Sequence, residues 1–101
     1  MNYFKNYVNH MLRFYARYHD KKDISDFKKK EADLKNWITV KTILDSLPDA
    51  ERNVIIEVYK RRDTLSDNVY EVSKELGINQ DIIWNILNKV TRKIAKEREL
   101  I

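Results

Sequence analysis

Residues 69–94 read VYEVSKELGINQDIIWNILNKVTRKI, and their spacing predicts a helix-turn-helix that decides the fold. Asn68 and Glu71 can form a capping box that begins the first helix, and Gly77 supplies the left-handed residue that ends it. Asn79 can then cap a second helix, which leaves a short turn between the two. A turn of this length directs the second helix across the first, as in proteins that present a helix to DNA.

The second helix, predicted over residues 79–94, has an apolar and a polar side, because a helix has about 3.6 residues per turn. The apolar side, which we expect to be buried, consists of Ile83, Ile86, Leu87, Val90 and Ile94. The side chains that we expect to be exposed and to read DNA bases are Gln80, Asp81, Trp84, Asn85 and Asn88. Amides can pair with adenine, a carboxylate can accept from a cytosine amine, and an indole edge can contact a thymine methyl group.

Two clusters of basic residues, one before the helix-turn-helix and one toward the end of the second helix, predict contacts with phosphate. Together with the cap of the second helix, the predicted phosphate ligands are Lys60, Arg61, Arg62, Asn79, Lys89, Arg92 and Lys93. The net charge of +4 is modest, but such local clusters attract polyanions even where the total charge does not. A basic run that is only a solvated helix face is the competing interpretation.

The composition predicts an all-α protein. Of its 101 residues, 43% are hydrophobic and 36% are charged, and only one is Gly and one is Pro. The turns of a β-sheet usually need more Gly and Pro residues than these two. We expect a helical N-terminal lobe over residues 1–46 and the helix-turn-helix over residues 47–101. In the lobe, the periodicity predicts one helix from about Asn2 to His19 and another from Asp23 or Ser25 to about Ser46. The lobe either packs on the helix-turn-helix or forms a homodimer.

No pattern of residues predicts catalysis. The chain has no cysteine, its two histidines lie on different faces of one helix, and its single glycine excludes a glycine-rich phosphate loop. We therefore expect no enzyme activity, no metal and no cofactor. No run of residues resembles a membrane span or a signal peptide, so we expect a cytoplasmic protein without a membrane partner.

About half of the chain, Leu47 to Glu97, resembles the C-terminal promoter-recognition domain of bacterial sigma factors. Leu47-Pro48 followed by Glu51-Arg52 and Val54-Ile55 is similar to the opening helix of that domain. Val72 and Leu76-Gly77-Ile78 are similar to its penultimate helix and turn, and Ile83, Ile86 and Arg92-Lys93-Ile94 to its recognition helix and basic extension. The resemblance implies that Gln80, Asp81, Trp84, Asn85 and Asn88 face the major groove and that Arg92 and Lys93 lie near phosphates.

The N-terminal half does not resemble the polymerase-binding region of a full sigma factor. In length and architecture the chain is more similar to phage-encoded transcriptional regulators of the ArpU and RinA type. The sequence therefore predicts a regulator that binds specific double-stranded DNA. In the alternative, the same fold is a protein-interaction or packaging adaptor, in which Trp84 and the tyrosines of the first helix contact a partner such as RNA polymerase.

Overall fold

The computed structural model describes residues 3–27 and 30–101, and these residues form helices without any strand. The helices are α1 (Tyr3–Tyr18), α2 (Glu31–Asp45), α3 (Asp49–Lys60), α4 (Leu65–Leu76) and α5 (Gln80–Glu97). A short 3₁₀ helix, Ile24–Phe27, lies between α1 and α2. The predicted all-α fold is confirmed.

The segment between α1 and α2 differs from the prediction of one continuous helix from Asp23 or Ser25. Asp23 accepts hydrogen bonds from the backbone N–H and the hydroxyl of Ser25, and Asp26 Oδ2 accepts from the Asp23 N–H at 2.8 Å. Such local bonds compete with helical hydrogen bonds, so the chain forms a separate 3₁₀ turn. The bonds from Ser25 also hold the pKa of Asp23 below its usual value. Lys28 and Lys29, inside the predicted helix, lie outside the described residues, as does Asn2.

The start of α4 also differs from the prediction. The helix begins four residues before the expected Val69, and its N-cap is Thr64, whose hydroxyl oxygen accepts from the Asp67 N–H at 3.3 Å. Asn68 is therefore an interior residue of α4 and not a cap, and it is 1% exposed. Its side-chain amide donates to backbone carbonyls of the preceding segment, which explains why a polar residue is buried there.

All five α-helices contribute to one hydrophobic core. Its fully buried members are Val8, Leu12, Val40, Leu44, Val54, Ile55, Val58, Tyr59, Val69, Val72, Ile83, Leu87, Val90, Ile94 and Ala95. An aromatic group continues this core toward the 3₁₀ helix, with the ring of Trp37 centred 4.8 Å from that of Tyr15 and 5.1 Å from that of Phe27. The buried apolar side chains of the five helices thus form a single cluster.

The first helix lies against three others, α2, α3 and α5, while α4 packs on α3 and α5. Arg17 joins α1 to the end of α3 by donating to the carbonyl oxygens of Lys60 at 3.4 Å and Arg61 at 3.2 Å. These contacts place α1 beside the helix-turn-helix. The division of the chain at residue 46 and the homodimer remain predictions.

In the part of the chain that the structure describes, no helix has the length and apolar character needed to cross a membrane. Across the same residues, no three His, Asp or Glu side chains come close enough together to hold a metal ion.

Candidate nucleic-acid interface

The turn between α4 and α5 is fixed by hydrogen bonds around Gly77. This glycine has φ of 65°, in the left-handed region that side chains other than glycine rarely adopt, and its N–H donates to the Ser73 carbonyl oxygen. The Ile78 N–H donates to the same carbonyl at 3.1 Å, and the Ser73 hydroxyl donates to the Ile78 carbonyl oxygen. Ser73 therefore joins both sides of the turn, and its small side chain leaves room for them to meet.

Asn79 caps α5 as the sequence predicts. Its Oδ1 accepts from the Asp81 N–H at 2.8 Å, and its backbone carbonyl accepts from the Ile82 N–H at 3.1 Å. The cap uses the side-chain oxygen, which is an acceptor, so the amide nitrogen of this exposed residue can still donate to a phosphate. The cap and the left-handed glycine together fix the direction in which α5 leaves the turn.

Four of the five predicted base-reading residues are exposed: Asp81, Asn85 and Asn88 lie along one side of α5, and Gln80 lies in its first turn. Ile83, Leu87, Val90 and Ile94 on the opposite side are buried in the core. Arg92 and Lys93 extend the exposed side toward the end of the helix. We call the surface formed by Gln80, Asp81, Asn85, Asn88, Arg92 and Lys93 the α5 face.

The expected full exposure of Trp84 is wrong. Its side chain is partly buried and packs against the core, and it lines a small cavity of about 100 Å³ together with Asn9 and Tyr59. The physical reason is that α1 lies against this side of α5, which the periodicity of α5 alone does not reveal. Ile86 was expected to be buried and is also intermediate. Trp84 thus lies at the edge of the α5 face, and Asn85 and Asn88 are the exposed amides beside it.

Ile82 is a surface residue that the sequence interpretation missed. Its side chain is 53% exposed, although it lies next to the buried Ile83. Ile82 is three residues before Asn85 and seven before Lys89, so helical spacing places all three on one side and could have identified it. An exposed isoleucine at this position can contact the methyl group of a thymine or an apolar residue of a partner.

Neighbouring carboxylates form ion pairs with several of the predicted phosphate ligands and so offset their positive charge. Lys89 forms an ion pair with Glu51, and Lys60 Nζ lies 2.6 Å from Glu57 Oε2. Arg61 contacts the carboxylates of both Glu57 and Glu75, and its hydrogen bond to Glu75 holds the pKa of that carboxyl group below its usual value. These three cations are therefore less available to phosphate than the sequence suggests.

Arg62, Arg92 and Lys93 are exposed, and none of them forms an ion pair with a carboxylate of residues 3–27 or 30–101. Arg62 and its two basic neighbours line a cleft of about 690 Å³ that also includes Arg17 and Lys21 of the α1 end. Glu57 and Asp20 line the same cleft and reduce its positive charge. Of these three unpaired cations, Arg92 and Lys93 lie within the α5 face, whereas Arg62 lies in a cleft that acidic side chains also line.

Comparisons of this chain with protein-family models, with curated proteins and with solved structures gave no match. What the α5 face does is therefore inferred from its own residues.

Proposed function

We propose that this protein is a sequence-specific, double-stranded DNA-binding regulator of transcription that places α5 in the major groove. The observation that carries the proposal is the α5 face itself, which presents amides and a carboxylate beside two uncompensated cations after a rigid three-residue turn. A helix fits the major groove, where each base pair presents a distinct pattern of donors and acceptors. The resemblance of Leu47 to Glu97 to the promoter-recognition domain of sigma factors supports the same function.

In this proposal, base recognition and backbone binding belong to different residues. Gln80, Asn85 and Asn88 donate to and accept from base edges, and Asp81 accepts from a cytosine amine. Arg92 and Lys93 hold phosphates near the other end of the helix. Such a regulator acts in the cytoplasm, where the DNA of a bacterium or an infecting phage is transcribed.

Selection of bound sequences from random duplex DNA tests the proposal. We expect an enriched motif, and titrations on that motif and on a scrambled duplex should show a higher affinity for the motif that falls as salt rises. Asn85→Ala should lower the preference for the motif, while the exposed Asn53→Ala on α3 should leave it unchanged. The proposal fails if selection enriches no motif and the affinity for recovered duplexes does not depend on salt.

One observation favours a protein-interaction adaptor as a second candidate. Ile82 and Leu76 lie on the two sides of the turn and are 53% and 40% exposed, which suits an apolar contact with another protein. RNA polymerase is the partner to test for this candidate. Purified RNA polymerase should then bind the wild-type protein, and Ile82→Asn should weaken that binding while Ile24→Asn, a change at an equally exposed isoleucine, should not. Equal binding by wild type and Ile82→Asn would remove this candidate.

A further inference from the structure

A small cleft lies where the first turns of α1 meet the middle of α5. It has a volume of about 200 Å³ and is lined by Phe4, Lys5, Asn88, Thr91 and Arg92. A second cavity, of about 100 Å³, also includes Lys5, Asn88 and Thr91 and continues toward Trp84 and Tyr59. The cleft is therefore a feature of the packing of α1 on α5, and the helix-turn-helix alone would not form it.

The charges around this cleft have one sign. Lys5 and Arg92 are both exposed, and no residue that lines the cleft is acidic. Neither cation forms an ion pair with a carboxylate in the described part of the chain. The larger cleft beside Arg62 differs, because acidic side chains line it as well.

We infer that Lys5 and Arg92 bind one backbone phosphate of the DNA from opposite sides of this cleft, so that α1 contributes directly to the DNA interface. This inference rests on the proposed function. A phosphodiester carries one negative charge and accepts hydrogen bonds through its two unesterified oxygens, which matches an ammonium and a guanidinium. Asn88 and Arg92 also belong to the α5 face, so this phosphate borders the bases that α5 reads.

The position of the cleft gives the N-terminal helix a role beyond packing. A cation on α1 adds a backbone contact on a second helix, and contacts to phosphate fix the orientation of a protein on the duplex. Lys5 is not within the part of the sequence that resembles a DNA-binding domain, and helical spacing does not connect it with α5. Only the packing of α1 places it beside Arg92.

Salt titrations of Lys5→Ala on the selected and scrambled duplexes test the inference. We expect weaker binding to both duplexes and a salt slope lower by about one unit. The loss of affinity should then be roughly fourfold larger at about 50 mM salt than at about 200 mM. Lys5→Arg should retain most of the binding. The control is Lys35→Ala, which removes one charge from an exposed lysine of α2 that pairs with Glu31, and it should change the slope far less.

Methylphosphonate linkages that neutralise one phosphate at a time identify the contact. We expect one position at which the neutral linkage weakens binding of the wild type but not of the Lys5→Ala/Arg92→Ala double variant.

The inference is overturned if the wild type binds its motif and Lys5→Ala behaves like Lys35→Ala, an outcome that leaves the proposed function intact. If the wild type itself binds no selected duplex, the proposed function has failed, and the inference fails with it. Circular dichroism establishes that each variant is folded.

Discussion

Asn68 Nδ2 lies 3.0 Å from the carbonyl oxygen of Val58, and this buried hydrogen bond joins α4 to the last turn of α3. The same amide nitrogen lies 3.3 Å from the carbonyl oxygens of Arg61 and Asp63. One side chain therefore donates hydrogen bonds both to the end of α3 and to the segment that connects α3 with α4. Carbonyl groups at the end of a helix lack intrahelical partners. Asn68 supplies donors where water has little access, and it thereby positions the first helix of the turn.

Removal of this amide should destabilise the fold. We expect Asn68→Ala to lower the free energy of unfolding by about 1–3 kcal/mol, because buried carbonyl oxygens lose their donor. Asn68→Asp should be worse at neutral pH, since a carboxylate would face those carbonyl oxygens. Urea denaturation measures both effects. The exposed Asn85→Ala is the control and should stay close to the wild type; equal stability of Asn68→Ala and Asn85→Ala would contradict this role.

The stability of Gly77 variants should follow how readily each new residue adopts a positive φ. A Cβ at this position would meet no atom within 4 Å apart from those of its two chain neighbours, so the cost of Gly77→Ala comes from the positive φ. We expect Gly77→Ala to lower stability by about 1–2 kcal/mol, Gly77→Val by more, and Gly77→Asn by less. Thermal and urea unfolding test this order. An unchanged melting temperature for Gly77→Val would show that the left-handed turn is placed wrongly.

Stability should fall at high pH through Tyr59. Its ring is buried, its hydroxyl donates to Asn9 Oδ1 at 2.8 Å, and burial raises the pKa of the phenol well above its ordinary value of 10. The unfolded chain loses this proton first, so stability declines once the pH exceeds about 10, by up to about 1.4 kcal/mol for each further pH unit.

The measurement for Tyr59 is the free energy of unfolding between about pH 8 and pH 11, compared in wild type and Tyr59→Phe. Because high pH affects stability through more than one group, only the difference between the two proteins reports Tyr59. Tyr59→Phe should be less stable near pH 8 but should lose less stability as the pH rises. Parallel curves would exclude a raised pKa at this residue.

Substitutions on the α5 face should separate base contacts from phosphate contacts. Gln80→Ala or Asn85→Ala should lower affinity for the selected motif by about 1–3 kcal/mol and change affinity for a scrambled duplex little. Arg92→Ala or Lys93→Ala should weaken both duplexes and lower the salt slope by about one unit for each lost contact. Titrations of each variant on both duplexes at several salt concentrations distinguish the two patterns. The assignment is wrong if the amide variants weaken both duplexes equally.

The ion pair between Lys89 and Glu51 should limit what Lys89 contributes to DNA binding. We expect Glu51→Gln to raise affinity for all duplexes and to steepen the salt dependence, because it removes a negative charge and releases a cation on the exposed side of α5. In the Glu51→Gln background, Lys89→Ala should have a larger effect than in the wild type. If the two changes are additive, the pair does not control the availability of Lys89.

The sequence by itself determined the all-α class, the turn and the buried side of α5, because these depend on residues close together in the chain. Gly77 and Asn79 marked the turn, and the spacing of Ile83, Leu87 and Val90 identified the buried side of α5. The start of α4 was misplaced because several residues near it can cap a helix. Thr64 is the cap, and Asn68 instead donates to the carbonyl oxygen of Val58 in α3, a contact between two helices that a local pattern does not reveal.

Only the tertiary structure decided which of the predicted surface residues remain available. Trp84 is partly buried because α1 packs on α5, and Lys89 is paired because α3 brings Glu51 to it. The same packing of α1 sets Lys5 beside Arg92, at the other end of the sequence. Helical periodicity reports which side of a helix is apolar, whereas exposure and charge compensation depend on the helices that pack against it.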